Sequence, residues 1–438
     1  MIRIQRYVII SLLAVCFGVM IFGWWHVTGQ EISSDASKLI AIARLAGIVA
    51  TGAVLLQLLL MSRASFIENN FDLEEINTFH RYNGYVMVYA LIAHVLFLLV
   101  GYRMNTGLGW WPQFVQFNTG FEDVLKATIG SVFFFVVAIT SAKYVRHRLP
   151  YEAWYFLHII VYASVLLIFG HQIHSGSDII TQEWFKWFWI GMYAAVFACV
   201  FYYRFLRQLI LYGRHGFVVS RITQESPNIY SVYISGRGIA NYTYRAGQYA
   251  HWRFLTADTW VESHPFSFSS VPGSEYLRIT YKASGDFTKQ LLTYIAPGTR
   301  VLIDGPRGSF TANRATTKNV LLIAGGIGVS PLLPIAKVLL ANGKNVHVIY
   351  SIREQADAVF NTEFLQLKEL MGDHFALTHY ETGDVNRLTE VTLAPYTRQP
   401  EQLTVYICGP ETMSRSVHSM LESLGVPPKQ ILSERFMF

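Results

Sequence analysis

Six apolar runs fill the first half of this 438-residue chain: Tyr7–Trp25, Leu39–Met61, Phe79–Val100, Thr128–Tyr144, Trp154–Phe169 and Trp184–Leu206. Most reach the ~20 residues that a helix needs to cross a hydrocarbon core of about 30 Å, and the fourth and fifth are a little short. After Leu206 no such run recurs, and alternating strands and amphipathic helices take over. The 52% hydrophobic content is therefore an average over two unlike halves, one expected in a membrane and one soluble. The first run ends in Trp24, Trp25 and His26 with no small-residue cleavage site, so it is expected to be an uncleaved anchor rather than a signal peptide.

Lys and Arg in the short loops set the orientation. Arg3, Arg6, Arg63, Arg81, Lys143, Arg146, Arg148, Arg204 and Arg207 fall on one side, and mainly Lys38, Arg103, Lys126 and Lys186 on the other. The amino terminus and the large second half are thus expected in the cytoplasm, with the six spans in a cell (inner) membrane. Trp110, Trp111, Trp184, Trp187 and Trp189 suit an interfacial belt and receive no catalytic role. Cys16, Cys199 and Cys408 are too few and too scattered for a disulfide framework or a thiolate metal site.

Inside the apolar runs sit two histidine pairs, His80 with His94, 14 residues apart, and His158 with His171, 13 apart. An ionisable side chain at membrane depth is expensive and usually functional. A lone intramembrane histidine is more often a packed, hydrogen-bonded residue than a ligand. Four at near-matching spacing reverse that expectation. A rise of 1.5 Å per residue separates the members of each pair by roughly 20 Å along the membrane normal. One histidine from each helix can then meet near the inner face (His80, His158) and another pair near the outer face (His94, His171). Two stacked bis-imidazole sites are what an electron wire of two haems requires. Around an ideal helix, however, 14 steps leave about 40° and 13 steps about 140°. The second helix therefore calls for a kink, a π-bulge or a frayed end at His171, and His174 competes for the outer site. Arg44, near the outer end of the second run, either snorkels to the interface or places a cation beside the outer haem's propionates or an anionic reduced product.

From about Gly213 short runs rich in Val, Ile, Tyr and Thr (Ile229–Ser235, Gln248–Phe254, Tyr276–Tyr281, Val301–Asp304) suggest an antiparallel β-barrel. Within it, the segment Tyr244–Tyr249, holding Arg245, Gln248 and Tyr249, leads to His264, Pro265, Phe266 and Ser267. Ser267 and nearby backbone amides can hydrogen-bond a flavin ring. Gly285, Asp286, Phe287 and Thr288 open a helix expected over Thr288–Tyr294, whose free N–H groups suit a pyrophosphate. From about Thr317 the pattern turns to α/β. Asn319–Ala324 has the continuous apolar character of a buried parallel strand. It runs into Gly325, Gly326, Ile327, Gly328, Val329, Ser330 and Pro331, and then a helix over Leu332–Leu340. Strand, glycine turn and helix amino terminus make a pyrophosphate cradle, although the spacing is not the usual Gly-x-Gly-x-x-Gly. The strand Asn345–Ser351 leads to Arg353, placed for an adenosine 2′-phosphate or for capping a neighbouring helix. Leu403–Cys408 ends in Cys408, Gly409 and Pro410 at the carboxyl edge where ligands gather. The chain stops at Phe438, a residue that packing alone would explain.

In their order along the chain these motifs carry a resemblance. The second half resembles the ferredoxin-NADP reductase-like module, and the first resembles the ferric-reductase-type six-helix haem domain. Together they look like a prokaryotic member of the NADPH oxidase and ferric reductase superfamily. The resemblance implies that His264, Pro265, Phe266 and Ser267 contact the isoalloxazine, with Arg245, Gln248 and Tyr249 in the same flavin set, and that Gly285 to Thr288 contact its phosphates. It also implies that Gly325, Gly326, Gly328 and Pro331 bind the nicotinamide dinucleotide, that Cys408, Gly409 and Pro410 lie near the nicotinamide, and that Phe438 stacks on the flavin. The family's 13-residue spacing on the fifth helix matches His158 and His171, and Arg44 is similar to an arginine that NADPH oxidases place near the outer haem. The chain departs from animal oxidases at Leu98, where they carry a further histidine.

The expected architecture is multi-domain: an all-α six-helix transmembrane bundle with two b-type haems (1–211), an antiparallel β-barrel FAD domain (212–314) and an α/β NAD(P)H domain (315–438). The expected activity moves electrons from NADPH (NADH as alternative) through FAD and two haems b to O2, forming superoxide. The rivals are an Fe(III) chelate acceptor, favoured by Leu98, and a subunit that feeds a periplasmic protein partner. Neither a nucleic-acid partner nor an obligatory protein partner is expected, and calcium control is not, because no calcium-loop spacing precedes the first span.

Overall fold

The computed structural model describes residues 2–71, 73–260, 262–383 and 387–436, which divide into two compact units, Met1–Tyr203 and Arg204–Phe438. The first is all helix: α1 (Ile2–Val27), α2 (Asp35–Leu60), α3 (Leu73–Thr106), α4 (Val124–Ser141), α5 (Tyr151–His174) and α6 (Glu183–Phe201). Each belongs to a segment long and apolar enough to cross a membrane. Within lipid a helix satisfies its own backbone, so length and hydropathy suffice to specify it.

Helix α2 packs along α3, and α4 along α5. Small residues bring these axes together, as expected where lipid supplies no hydrophobic drive between helices. A Cβ on Gly101 would lie 2.7 Å from Ile40 of α2, and one on Gly130 would lie 3.0 Å from the Ser164 carbonyl of α5. Ser34 and Ser37 cap the start of α2 reciprocally. Met20, Ile48, Leu55, Leu58, Phe134, Val165, Phe185 and Trp189 form the buried core between the helices. Two features went unforeseen. A further helix, Trp110–Gly120, follows α3, with the Arg103 guanidinium 3.8 Å over the Trp110 ring. The sixth apolar run is also not one α-helix, since Tyr202–Leu206 forms a π-helical turn.

The second unit opens with β1 (Val218–Ser226), β2 (Ile229–Ser235), β3 (Tyr249–Phe254), β4 (His264–Ser267), β5 (Leu277–Lys282) and β6 (Val301–Arg307). They form two antiparallel three-stranded sheets, ordered β1-β2-β5 and β4-β3-β6, around Phe217, Val232, Trp252, Phe254, Phe268 and Ile303. The barrel does not close as a continuous ladder among the described residues: isolated bridges, Val218–Arg300 and Phe268–Ile279, link the sheets. Strand β4 has four residues and contains Pro265, which has no N–H to donate, so it cannot extend the ladder further.

Helix α7 (Asp286–Tyr294) follows β5 and begins two residues before the expected start. Beyond it, β7 (Asn319–Gly325), α8 (Val329–Ala341), β8 (Asn345–Ile352), α9 (Asn361–Met371), β9 (Phe375–Glu381), β10 (Leu403–Pro410), α10 (Glu411–Ser423) and β11 (Ile431–Phe436) build an α/β layer. Its five strands run in the order β11-β10-β7-β8-β9, all parallel, around Leu322, Ala324, Leu333, Val348, Tyr350 and Phe364. The apolar run Asn319–Ala324 sits in the middle of that sheet, covered on both faces, which is why it shows no alternation.

Candidate functional site

Of the four intramembrane histidines on α3 and α5, His80 meets His158, and His94 lies within electrostatic reach of His171. The rings of His80 and His158 have centroids 6.2 Å apart and planes inclined by 51°. A metal held at about 2 Å from one nitrogen of each imidazole leaves the centroids roughly 6 Å apart. Trp154, one turn before His158, lies 4.9 Å from its ring, and Ser141 Oγ is 3.3 Å from His158 Nδ1. Gln57 of α2 donates to the His80 carbonyl at 2.9 Å, while the buried His80 Nδ1 has no partner among the described residues.

His171 is within electrostatic reach of His94. His94 Nδ1 is 2.8 Å from the Ala43 carbonyl, and His171 Nδ1 is 2.5 Å from the Ile168 carbonyl. A carbonyl can only accept, so each Nδ1 carries the proton and each Nε2 keeps a lone pair for a metal. A Cβ on Gly47 would lie 2.6 Å from His94 Nδ1, so the ring fits only because position 47 has no side chain. The four donors thus suit a group that takes paired imidazoles, as haem does. Of the kink, π-bulge or helix end that the 13-residue spacing called for, His171 is found in the last turn of α5, which is α-helical over Tyr151–His174. The competing His174 is half-exposed and bonds Asp123 at 2.7 Å. Asp123 also bonds Lys126, and these two bonds draw its carboxyl below the ordinary carboxylate range.

Arg44 is neither a surface cation nor alone. Its Nη1 donates to Thr28 Oγ1 at 2.9 Å, and the same hydroxyl donates to Asp178. Burial raises the Asp178 carboxyl above its ordinary value, against the opposing Thr28 bond and Arg44 charge.

In the second unit β4 and α7 bring the flavin motifs together. The His264 ring stacks on Phe287 with centroids 3.6 Å apart, and His264 Nε2 is 3.0 Å from Glu262. Phe266 lies 5.8 Å from Tyr281, Ser267 is buried, and Pro265 is exposed. Thr288 Oγ1 accepts from the Gly285 amide at 3.0 Å, so that donor is already engaged, whereas the amides of Asp286 and Phe287 open the helix. Arg245 is exposed, and Tyr249 is buried. Gln248 bonds the Arg245 amide at 2.9 Å and the Gly308 carbonyl at 3.1 Å, a bond set that braces the loop.

The dinucleotide motifs share the carboxyl edge of the parallel sheet. Strand register aligns Cys408 with Ala324, and Gly325 with Ser351, two residues before the exposed Arg353. Gly326 has φ +53°, and a Cβ on Gly328 would lie 2.1 Å from the Cys408 carbonyl, so the turn is pressed backbone to backbone on β10. Pro331 is buried in the first turn of α8. Cys408 is fully buried, and burial first, then Glu434, pushes its thiol well up, so it stays protonated. Gly409 and Pro410 follow it beside Arg435 and Phe436 in the register. Phe438 lies outside the described residues. A cavity of about 420 Å³, lined in part by Asn319, His347, His374, Tyr396 and Arg398, opens at the amino edge of the sheet, away from every motif residue.

The sequence reading missed Thr28, Gln57 and Asp178, and also Arg278. Arg278 is buried on β5 and bonds Glu363 of α9 at 2.7 Å, and Glu363 also pairs with Lys337 of α8. Partners 85 positions apart leave no local signal.

An all-helical membrane unit with paired intramembrane imidazoles, joined to a two-sheet flavin-type domain and a doubly wound α/β layer, defines a membrane-bound oxidoreductase. Residues 46–169 match the ferric reductase like transmembrane component, 218–311 an FAD-binding domain and 322–419 an oxidoreductase NAD-binding domain. The chain thus joins a ferric-reductase-like transmembrane segment to FAD-binding and NAD-binding oxidoreductase segments, an order consistent with the NADPH oxidase and ferric reductase superfamily. It is 29% identical over 240 residues to flavohemoprotein A of Dictyostelium discoideum, a match covering 50% of this chain and 59% of that protein. It is 28% identical over 273 residues to respiratory burst oxidase homolog protein A of Arabidopsis thaliana, covering 53% of this chain and 28% of that protein. Among solved structures, the flavohem-like FAD/NAD binding domain of nitric oxide dioxygenase from Vibrio cholerae is similar at 24% identity and TM-score 0.45, over 50% of this chain and 97% of that one.

Proposed function

We propose that this protein carries electrons from cytoplasmic NADPH through FAD and two haems b to dioxygen on the opposite face of a cell (inner) membrane, releasing superoxide. The observation that carries the reading is the pairing of four intramembrane histidines from two helices, with His80 and His158 at 6.2 Å. When bound, the flavin supplies the conversion of a hydride into single electrons, and the haems supply a one-electron path through the bilayer. His80 and His158 hold one iron, and His94 and His171 the other. The Ala43 and Ile168 carbonyls fix the tautomer and ring orientation of the second pair.

In the second unit His264, Pro265, Phe266 and Ser267 form the wall for the isoalloxazine, with Arg245, Gln248 and Tyr249 beside it. The helix opening at Gly285–Thr288 takes the flavin phosphates. Gly325, Gly326, Gly328 and Pro331 cradle the nicotinamide dinucleotide, with Cys408, Gly409 and Pro410 at the nicotinamide end and Arg353 at the adenosine 2′-phosphate. The buried, protonated Cys408 acts there by shape and not as a thiolate.

A ferric chelate is the second reading of the acceptor, favoured by Leu98 where oxidases carry a histidine. Adding NADPH and FAD anaerobically to the detergent-purified protein, then admitting air, tests both. Reduced haem bands that reoxidise in air with superoxide formation are expected. Bands that survive air but discharge into a ferric chelate mark a ferric reductase, and bands that never appear overturn the proposal. Repeating the assay with NADH is expected to give lower efficiency, and equal efficiencies remove the role of Arg353.

A further inference from the structure

The turn of α2 that serves the His94–His171 pair also carries Arg44. The Ala43 carbonyl takes the His94 Nδ1 proton, Gly47 makes room for the ring, and Arg44 is the residue after Ala43. From there a directed chain of hydrogen bonds leaves the helix. Arg44 Nη1 donates to Thr28 Oγ1 at 2.9 Å, and Thr28 Oγ1 donates to the Asp178 carboxylate. The three residues come from three segments: α2, the turn after α1, and the short stretch between α5 and α6. Thr28 and Asp178 are each only 5% exposed, so water does not screen the link between them, and Arg44 is half-buried. A hydroxyl has one proton, and Thr28 gives it to Asp178, so its lone pair faces Arg44.

We propose that Asp178, acting through Thr28, is a positioning residue that fixes the guanidinium of Arg44, on the turn of α2 that bonds His94, and offsets its charge. It thereby sets how easily that site, and not the His80–His158 site, takes up an electron. This rests on the two-haem reading and, for the acceptor assay, on the ferric-chelate reading. Removing the Asp178 charge leaves a half-buried guanidinium unbalanced at one site, and a nearby cation favours the reduced form of its neighbour. Breaking the Thr28 link keeps both charges but frees the guanidinium, which impairs binding of an anionic acceptor more than turnover.

The test is an anaerobic redox titration of the full-length, haem-loaded protein, followed by steady-state assays with ferric citrate. For Asp178→Asn, one of the two haem steps is expected to move to higher potential while the other stays in place. For Thr28→Val, the KM for ferric citrate is expected to rise about tenfold with kcat changed less than twofold, and Thr28→Ser is expected to restore the wild-type value. Equal shifts of both steps, no shift, or a Thr28→Ser protein that behaves like Thr28→Val would overturn the proposal. Wild-type protein without two resolvable haem steps would instead overturn the two-haem reading beneath it. Haem content measured for each variant separates misfolding from either result.

Discussion

The His94 ring touches the backbone of α2 so closely that one hydrogen atom at position 47 decides whether it fits. A methyl there would lie 2.6 Å from Nδ1 and 2.8 Å from Cε1, closer than real contacts come. Gly47→Ala must therefore tilt the ring or push α2 from α3. On the two-haem proposal, the haem content of purified Gly47→Ala is expected to fall from two to one per chain, with the remaining haem spectrally unchanged. Gly191→Ala is the matched control, because a Cβ there meets nothing within 4 Å. Two haems in Gly47→Ala would mean that His94 does not hold its iron in this pose. Position 47 looked unremarkable in the sequence, an ordinary glycine in an apolar run. His94 itself was legible, since a histidine at membrane depth stands out on cost alone.

Among elements, β5, α8 and α9 are tied by Arg278, Glu363 and Lys337. Arg278 also lies 4.5 Å over the Phe360 ring, at a residue held in the left-handed region with φ +62°. Burial pushes Glu363 up, but Arg278 and Lys337 together outweigh it and leave the carboxyl below its ordinary value. A carboxyl lowered on folding stabilises at pH above its unfolded value, and that contribution is lost as pH falls through the folded one. Glu363→Gln strands the buried Arg278, at a cost of about 2–4 kcal/mol. The variant is expected to melt earlier than wild type in urea at pH 7, and the gap is expected to narrow below pH 4. An equal gap at both pH values would show that packing, not charge, holds these elements. The strands and helices themselves were largely legible from apolar period and glycine punctuation. Strand β4 was seen only as a motif, because four residues with a proline carry little pattern.

At the scale of the whole molecule, the division into a membrane unit and a second unit follows from hydropathy, and the boundary between Tyr203 and Arg204 falls within the π-helical turn of the last apolar run. The excess of Lys and Arg on one side predicts that the second unit faces the cytoplasm. A fluorescent reporter fused after Phe438 is expected to fluoresce in the bacterial cytoplasm, whereas a periplasmic phosphatase at the same point is expected to be inactive. The opposite pattern would reverse the direction of electron flow proposed above.

What the sequence determined by itself was everything governed by a local period or a cost paid at one position. Six spans follow from apolar length, the parallel α/β layer from alternating apolar strands and helices, and the candidate ligands from histidines that lipid penalises. Tertiary structure alone decided which groups meet: His80 with His158 across two helices, Arg44 with Thr28 and Asp178 across three segments, and Arg278 with Glu363 across 85 positions. Contacts of that kind depend on close approach of backbones and on which side chains are left facing one another. No periodicity records either, so Asp178 and Gln57 became visible only once the helices were packed.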